Sequence, residues 1–191
     1  MSVFGDVEGT DKRKGAGILF RLEYLPGQVP SYLIRSSIRP ERLPNGSQMV
    51  EENGRIPEKG TAVIFRLAVN AVQRTKSGIR PVFIDGGIDE ARENGLLSEG
   101  DAERAQEITP WLNAKLSPGL TDVHILNHQR EVVGRDRHGR NTSKQDNKVV
   151  QVDLIDGVAM VSDPEALQTL LIDGVGRAKS YGCGLLTVRQ A

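Results

Sequence analysis

Residues 174–184 read Gly-Val-Gly, five spacers, then Gly-Cys-Gly, and the spacers include Arg177 and Lys179. Glycine lets the backbone adopt positive φ and approach a ligand closely, exposing consecutive N–H groups that a Cβ would shield. Two cations beside such a backbone add long-range attraction for an anion. The chemistry that suits this pattern is phosphate binding, with Gly174, Gly176, Gly182 and Gly184 shaping the loop and Arg177 and Lys179 supplying charge. The competing reading is a glycine-rich helix-to-strand connection with two solvated cations. The loop alone leaves both open.

The elements around the loop exclude the two best-known nucleotide loops. Asp163 as N-cap, Pro164 at the first helical position, and Ala166, Leu167, Leu170 and Leu171 at helical spacing predict a short helix that stops near Gly174. Leu185, Leu186, Thr187 and Val188 then predict a terminal strand. A Walker A loop needs glycine where Asp173 and Ala178 stand, and a dinucleotide fingerprint needs glycine where Lys179 stands and a strand, not a helix, before it.

A second basic region lies upstream. The formal net charge is zero, but the charges are segregated: eight acidic residues in 85–107 stand against Arg92 and Arg104, whereas six basic residues and His138 in 130–148 stand against Glu131, Asp136 and Asp146. One acidic flank and one basic stripe allow a polyanion to be attracted to one face. Arg135, Arg137, Arg140 and Lys144 belong to a long polar hairpin between strands expected near 123–133 and 148–160, and Arg130, inside the first of those strands, joins them in the basic stripe as a candidate binding residue. Arginine's forked donors suit phosphate or guanine edges, against the reading of a solvated loop. The role of the smaller cluster Lys12, Arg13 and Lys14 is left open. A small-molecule site would call for an apolar pocket with few cations, which the basic stripe disfavours.

Other residue types do less. His124 and His128 alternate on one expected strand face with no carboxylate cluster beside them, so a metal site is not expected, and no cofactor is called for. His138 sits in a turn-like basic tip, at most a binding residue. Cys183 is the single cysteine, which excludes an internal disulfide and predicts a small buried residue in a reducing compartment. No apolar run approaches the roughly 20 residues of a membrane span and the first residues lack a secretory h-region, so the expected location is the cytoplasm, with no membrane partner.

Alternation at Ile18, Phe20, Leu22 and Tyr24, repeated at Tyr32, Ile34 and Ile38 after Pro26-Gly27, predicts a hairpin. A polar stretch over 40–60 follows, then a third strand through Val63, Phe65, Leu67, Val69 and Ala71. Gly78 marks a boundary between 1–77 and 78–191. Beyond it come a short strand at 79–84, a helix begun by Ser98 with Asp101 three residues on, a segment from Thr109-Pro110 through Trp111, Leu112 and Leu116, and a stop at Ser117-Pro118-Gly119. With the later strands, helix and final strand, the order from Ile79 is βαββαβ, a ferredoxin-like (RRM-like) unit in an α+β protein.

The glycine pattern in its full form, with a basic residue among the five spacers, resembles that of the CRISPR repeat-processing ribonucleases, and more narrowly of CasE-like proteins, the endoribonuclease subunits of type I-E Cascade. Gly17-Ile18-Leu19-Phe20-Arg21-Leu22-Glu23, Phe65-Arg66-Leu67-Ala68-Val69-Asn70, and Trp111-Leu112 opening a helix that ends at Pro118-Gly119 are colinear with it over nearly the whole chain. The resemblance implies tandem ferredoxin-like domains, a repeat RNA stem-loop and other Cascade subunits as partners, and a basic hairpin entering the RNA major groove. That groove is too deep and narrow for side chains within an A-form helix, so the contact is expected at a helix end or loop. The implied reaction is metal-independent attack of a 2′-hydroxyl on the adjacent phosphate, giving a 2′,3′-cyclic phosphate and a 5′-hydroxyl.

The resemblance also implies a strand and a helix ahead of Ser2-Val3-Phe4, carrying the histidine and tyrosine of the active site. Neither is in this sequence, so the N-terminal ferredoxin-like domain is expected to be incomplete, with unpaired edges and an uncovered apolar face, and the catalytic residues are unknown. Met1 is then expected to be an internal methionine of a longer frame, the alternative being a shortened family member. A non-catalytic RNA-binding module is the competing function.

Overall fold

The computed structural model describes residues 3–4, 15–24, 27, 29–51, 54–75, 78–133 and 150–191. In chain order the elements are β1 (Leu19–Glu23), β2 (Ser31–Arg35), β3 (Ala62–Val69), β4 (Val72–Thr75), β5 (Gly78–Pro81), α1 (Gly87–Glu93), α2 (Glu99–Ala102), α3 (Ile108–Leu116), β6 (Leu120–Val133), β7 (Val150–Val161), α4 (Pro164–Asp173), a 3-10 turn (Lys179–Tyr181) and β8 (Leu186–Gln190). The architecture is α+β. No described helix is long and apolar enough to cross a membrane.

Four strands form the main sheet in the order β6-β7-β3-β8, every neighbouring pair antiparallel. Val63, Phe65, Leu67 and Val69 of β3 face Ala159, Gly157, Ile155 and Asp153 of β7. This face is the core: it is covered by Ile108, Trp111, Leu112 and Leu116 of α3 and by Leu167 of α4. Each such fully buried aliphatic or aromatic side chain contributes about 1.5–3 kcal/mol over its exposed state.

Taken from β3, and setting aside the inserted β4-β5 hairpin, the connectivity is strand, helical segment, β6, β7, α4, β8, with β3 lying between β7 and β8. That is one complete βαββαβ unit, but it starts at Ala62, not at Ile79 as the sequence predicts, and it crosses the boundary placed at Gly78. The physical reason is burial on both faces. β3 buries its odd-numbered residues against the helices and Ala68 on the other side, as a central strand must. Residues 78–81 are all exposed, end at Pro81, and pair only with β4 in a two-stranded hairpin.

The first hairpin forms as predicted, β1 pairing antiparallel with β2, yet its buried residues are Leu19 and Arg21, not the alternating apolar set. Arg21 is only 2% exposed and meets the sheet face opposite the core. Its guanidinium donates to the carbonyls of Arg66 (3.0 Å) and Leu185 (2.9 Å) and to Thr187 Oγ1 (3.2 Å), and pairs with Glu23 at 2.6 Å. Glu23 reaches Arg66 (3.0 Å), which also grips Asp156 through two bonds of 2.5 and 3.0 Å. Burial pulls the Arg21 pKa down, with Glu23 opposing. The bonds to Asp156 hold Arg66 up and hold the Asp156 carboxyl below the usual carboxylate range. Meanwhile Tyr24 and Tyr32 stay exposed, as do Leu33 and Ile34.

Candidate nucleic-acid interface

The loop after α4 is built from both ends. Asp163 caps the helix by accepting from the N–H groups of Glu165 (3.0 Å) and Ala166 (3.1 Å), and Pro164 occupies the first turn, as predicted. At the other end Gly174 takes φ 74°, ψ 160° and donates to Leu170 O, a conformation available to glycine almost alone. Gly176, Gly182 and Gly184 also have positive φ.

Three of these glycines serve contacts within the protein. A Cβ on Gly174 would lie 2.9 Å from the Leu19 methyls and 2.8 Å from Gly184 O. Gly184 N donates to Ala68 O of β3 at 2.7 Å, Val175 N to Gly184 O at 2.9 Å, and Gly182 sits under the Phe20 ring. The loop is thereby clamped between β1 and β3. Cys183 is fully buried between its two glycines, and burial pushes its thiol up to about 12, so it is an inert core residue.

The two loop cations divide. Lys179 Nζ folds back onto Asp173 O at 2.5 Å, satisfying a terminal carbonyl of α4 where the helix dipole favours a cation. Arg35 of β2 donates to the carbonyl of Leu171 in the same helix turn. Arg177 is exposed and has no hydrogen-bond or ion-pair partner among the described residues. The N–H groups of Gly176, Arg177 and Ala178 likewise have no acceptor among the described residues, and Ala178 adopts the left-handed conformation, φ 59° and ψ 29°. Three successive backbone donors and one guanidinium at the tip are therefore left unclaimed by the described residues, the donor set that an anion-binding nest uses. Beside the tip, Gly176 and Arg177 border a cavity of about 370 Å³.

Arg130 has the opposite character. Its Nε donates to Asp153 Oδ1 at 2.7 Å and its Nη2 to Val82 O at 2.8 Å. Asp153 is fully buried, and it also accepts from His128 Nε2 (2.8 Å), Gln151 Nε2 (2.7 Å) and Ala71 N (3.2 Å). His128 is thus satisfied by a carboxylate, as a structural histidine. His124 does not share its face, contrary to the sequence reading. The register of β6 shifts between Ile125 and Asn127, so His124 lies opposite Val158 and His128 opposite Ile155; one bulge residue reverses the alternation.

Arg135, Arg137, Arg140, Lys144 and His138, together with Lys12, Arg13 and Lys14, lie outside the described residues. What sequence reasoning missed is the set of cations that share the cavity with Arg177, namely Arg74, Arg104 and Lys115. They come from separate segments of chain, so no local pattern marks them. Within the acidic flank, Asp89, Glu99 and Asp101 are each within 4.0 Å of an arginine, Arg92, Arg80 or Arg104.

Residues 1–190 match the model of a family described as CRISPR associated protein. The CRISPR system Cascade subunit CasE of Escherichia coli (strain K12) is 29% identical over 131 residues, which are 68% of this chain and 58% of that relative; the match thus spans less than two thirds of the curated relative. Among solved structures, the CRISPR endoribonuclease Cse3 bound to a 19-nucleotide RNA is similar with a TM-score of 0.61 at 25% identity, covering 90% of this chain and 79% of that one. The CRISPR-associated protein Cas6e from E. coli K-12 shares the fold with a TM-score of 0.52 at 22% identity, covering 91% of this chain and 84% of that one.

Proposed function

The chain belongs to the CRISPR-associated protein family, and we propose that it binds the repeat stem-loop of a precursor CRISPR RNA, takes part in its endonucleolytic processing, and remains with the product as a cytoplasmic Cascade subunit. The observation that carries this reading is the loop tip, where three backbone donors and exposed Arg177 have no protein partner among the described residues. A single strand of phosphates is the ligand chemistry that such donors suit. In the processing step the substrate 2′-hydroxyl attacks the adjacent phosphate, its proton leaves to a base, and the 5′-oxygen departs with a proton from an acid. The products are a 2′,3′-cyclic phosphate and a 5′-hydroxyl. Arg177 and the tip N–H groups would stabilise the doubly charged phosphorane. Arg130 supports the strand beneath, through Asp153, and the cations of 134–149 would extend the grip along the RNA.

A second reading is a non-catalytic RNA-binding module. It is favoured by the placement of the described histidines: His128 is committed to Asp153, and His124 is on the other face of β6. General acid-base catalysis needs a group near neutral pKa within hydrogen-bond reach of the reacting atoms.

One experiment separates the two. The purified chain is mixed, in chelator, with its repeat hairpin and with a scrambled RNA of equal length. Preferential, salt-sensitive binding of the hairpin with release of a cyclic-phosphate product supports the nuclease. The same binding without product supports the module. Equal binding of both RNAs contradicts recognition of the repeat stem-loop, and binding of neither contradicts both readings.

A further inference from the structure

We propose that the cavity beside the loop tip is a pocket for one unpaired nucleotide of the RNA strand flanking the stem, a reading that rests on the RNA-binding function above. Four cations converge on it from four segments: Arg74 of β4, Arg104 after α2, Lys115 of α3 and Arg177 of the loop. No carboxylate is among the described residues lining it. Like charges gathered this way repel one another, and an anionic ligand relieves the repulsion.

Most of that charge is available. Arg74 and Arg177 have no partner among the described residues. Arg104 is 3.6 Å from Asp101, a carboxylate it shares with Arg80 at 4.0 Å, and Lys115 rests over the Trp111 ring at 5.6 Å. The pocket also has what a base needs. Val72, Ile79 and Trp111 give it an apolar wall, Ile79 being 63% exposed. The side-chain amides of Gln73 and Gln106 have no protein partner among the described residues and offer both donors and acceptors to a base edge.

Size and charge then select the ligand. About 370 Å³ lies near the small end of ligand sites and suits one nucleotide, not a duplex. The cationic rim disfavours an apolar molecule. Unpaired RNA bases that splay from the strand are the ones proteins hold in pockets, and the tip N–H groups of Gly176 to Ala178 stand where the neighbouring phosphate would pass from stem to pocket.

The test compares affinities of the full chain for a blunt repeat hairpin and for the same hairpin with a single-stranded tail on the 5′ or the 3′ side, at one ionic strength. Wild type is expected to bind one tailed form on the order of tenfold more tightly, the scale of a single stacked and charge-paired nucleotide. The ratio should fall to about one in Arg74→Ala/Arg104→Ala/Lys115→Ala, and also in the near-isosteric Gln106→Glu, which places a carboxylate in the pocket. Equal affinity of wild type for tailed and blunt hairpins overturns the pocket while leaving RNA binding in place. If neither RNA binds, the RNA reading fails and the pocket falls with it. Tight binding of adenosine monophosphate with no tail advantage would assign the same chemistry to a free nucleotide and overturn the proposal for RNA.

Discussion

The loop tip and the Asp153 cluster contain the same kinds of residue, arginine and polar donors near a turn or strand end, and they do opposite things. Around Asp153 every donor points inward: His128, Arg130, Gln151 and the Ala71 N–H all end on one fully buried carboxylate. At the tip, the N–H groups of Gly176, Arg177 and Ala178 and the Arg177 guanidinium end on no acceptor among the described residues. Residue type nominated both regions as functional. Where the donors end is what separates a structural cluster from a binding surface.

The sharpest way to break this contrast is to remove the shared acceptor. Asp153→Ala removes the carboxylate from under Arg130, which keeps only Val82 O, and from under His128, Gln151 and the Ala71 N–H, and is expected to destabilise by about 3–5 kcal/mol, read from chemical denaturation. A loss below about 1 kcal/mol would mean that water replaces the carboxylate. The paired arginine substitutions come next. Arg130→Ala should cost about 1.5–3 kcal/mol, the scale of hydrogen bonds to a charged group, whereas Arg177→Ala should stay within about 0.5 kcal/mol of wild type because the Arg177 side chain has no partner among the described residues. Similar losses for both would erase the distinction.

Gly174→Ala probes the frame that holds the tip. Its Gly-only backbone and its proximity to Leu19 predict about 1–3 kcal/mol of destabilisation, accompanied by faster hydrogen exchange at the Gly184 N–H. The smallest effect concerns the sheet face opposite the core. The Asp156 carboxyl is held below its ordinary value by Arg66, so its contribution is complete above about pH 4 and is lost as pH falls through the lowered folded value. Asp156→Asn should therefore lower stability at neutral pH by about 1 kcal/mol or less for this partly exposed pair. The gap between mutant and wild type should close as the pH falls through the lowered folded value. A gap that widens instead would contradict the assignment.

Local signals were the legible ones. The Asp163 cap, Pro164, the stop at Gly174, the Ser98 cap and α3 all follow from hydrogen bonds and φ/ψ preferences within a few residues. The glycine pattern was legible for the same reason. Strand partners were not, because alternation identifies a strand without naming its neighbour. Hence β3 reads as part of the first half and is in fact an inner strand of the sheet it forms with β6, β7 and β8. Leu19 and Arg21 were missed as the inner face because a buried arginine looks polar in sequence, and only Glu23, Thr187 and two distant carbonyls make its burial tolerable. The shared face expected for His124 and His128 failed on a bulge that no residue pattern announces. Finally, Arg74, Arg104 and Lys115 gain meaning only through Arg177, far along the chain.

The most direct test of RNA binding at the loop tip is the affinity of wild type, Arg177→Ala and Arg130→Ala for the repeat hairpin across a salt series. The expected result is that Arg177→Ala binds on the order of tenfold more weakly, with a salt slope shallower by roughly 0.7–0.9 because one phosphate is no longer neutralised. Arg130→Ala should keep wild-type affinity and slope in its folded fraction. Wild-type binding by Arg177→Ala, or a slope change only in Arg130→Ala, would contradict the assignment of the tip as the surface that holds RNA.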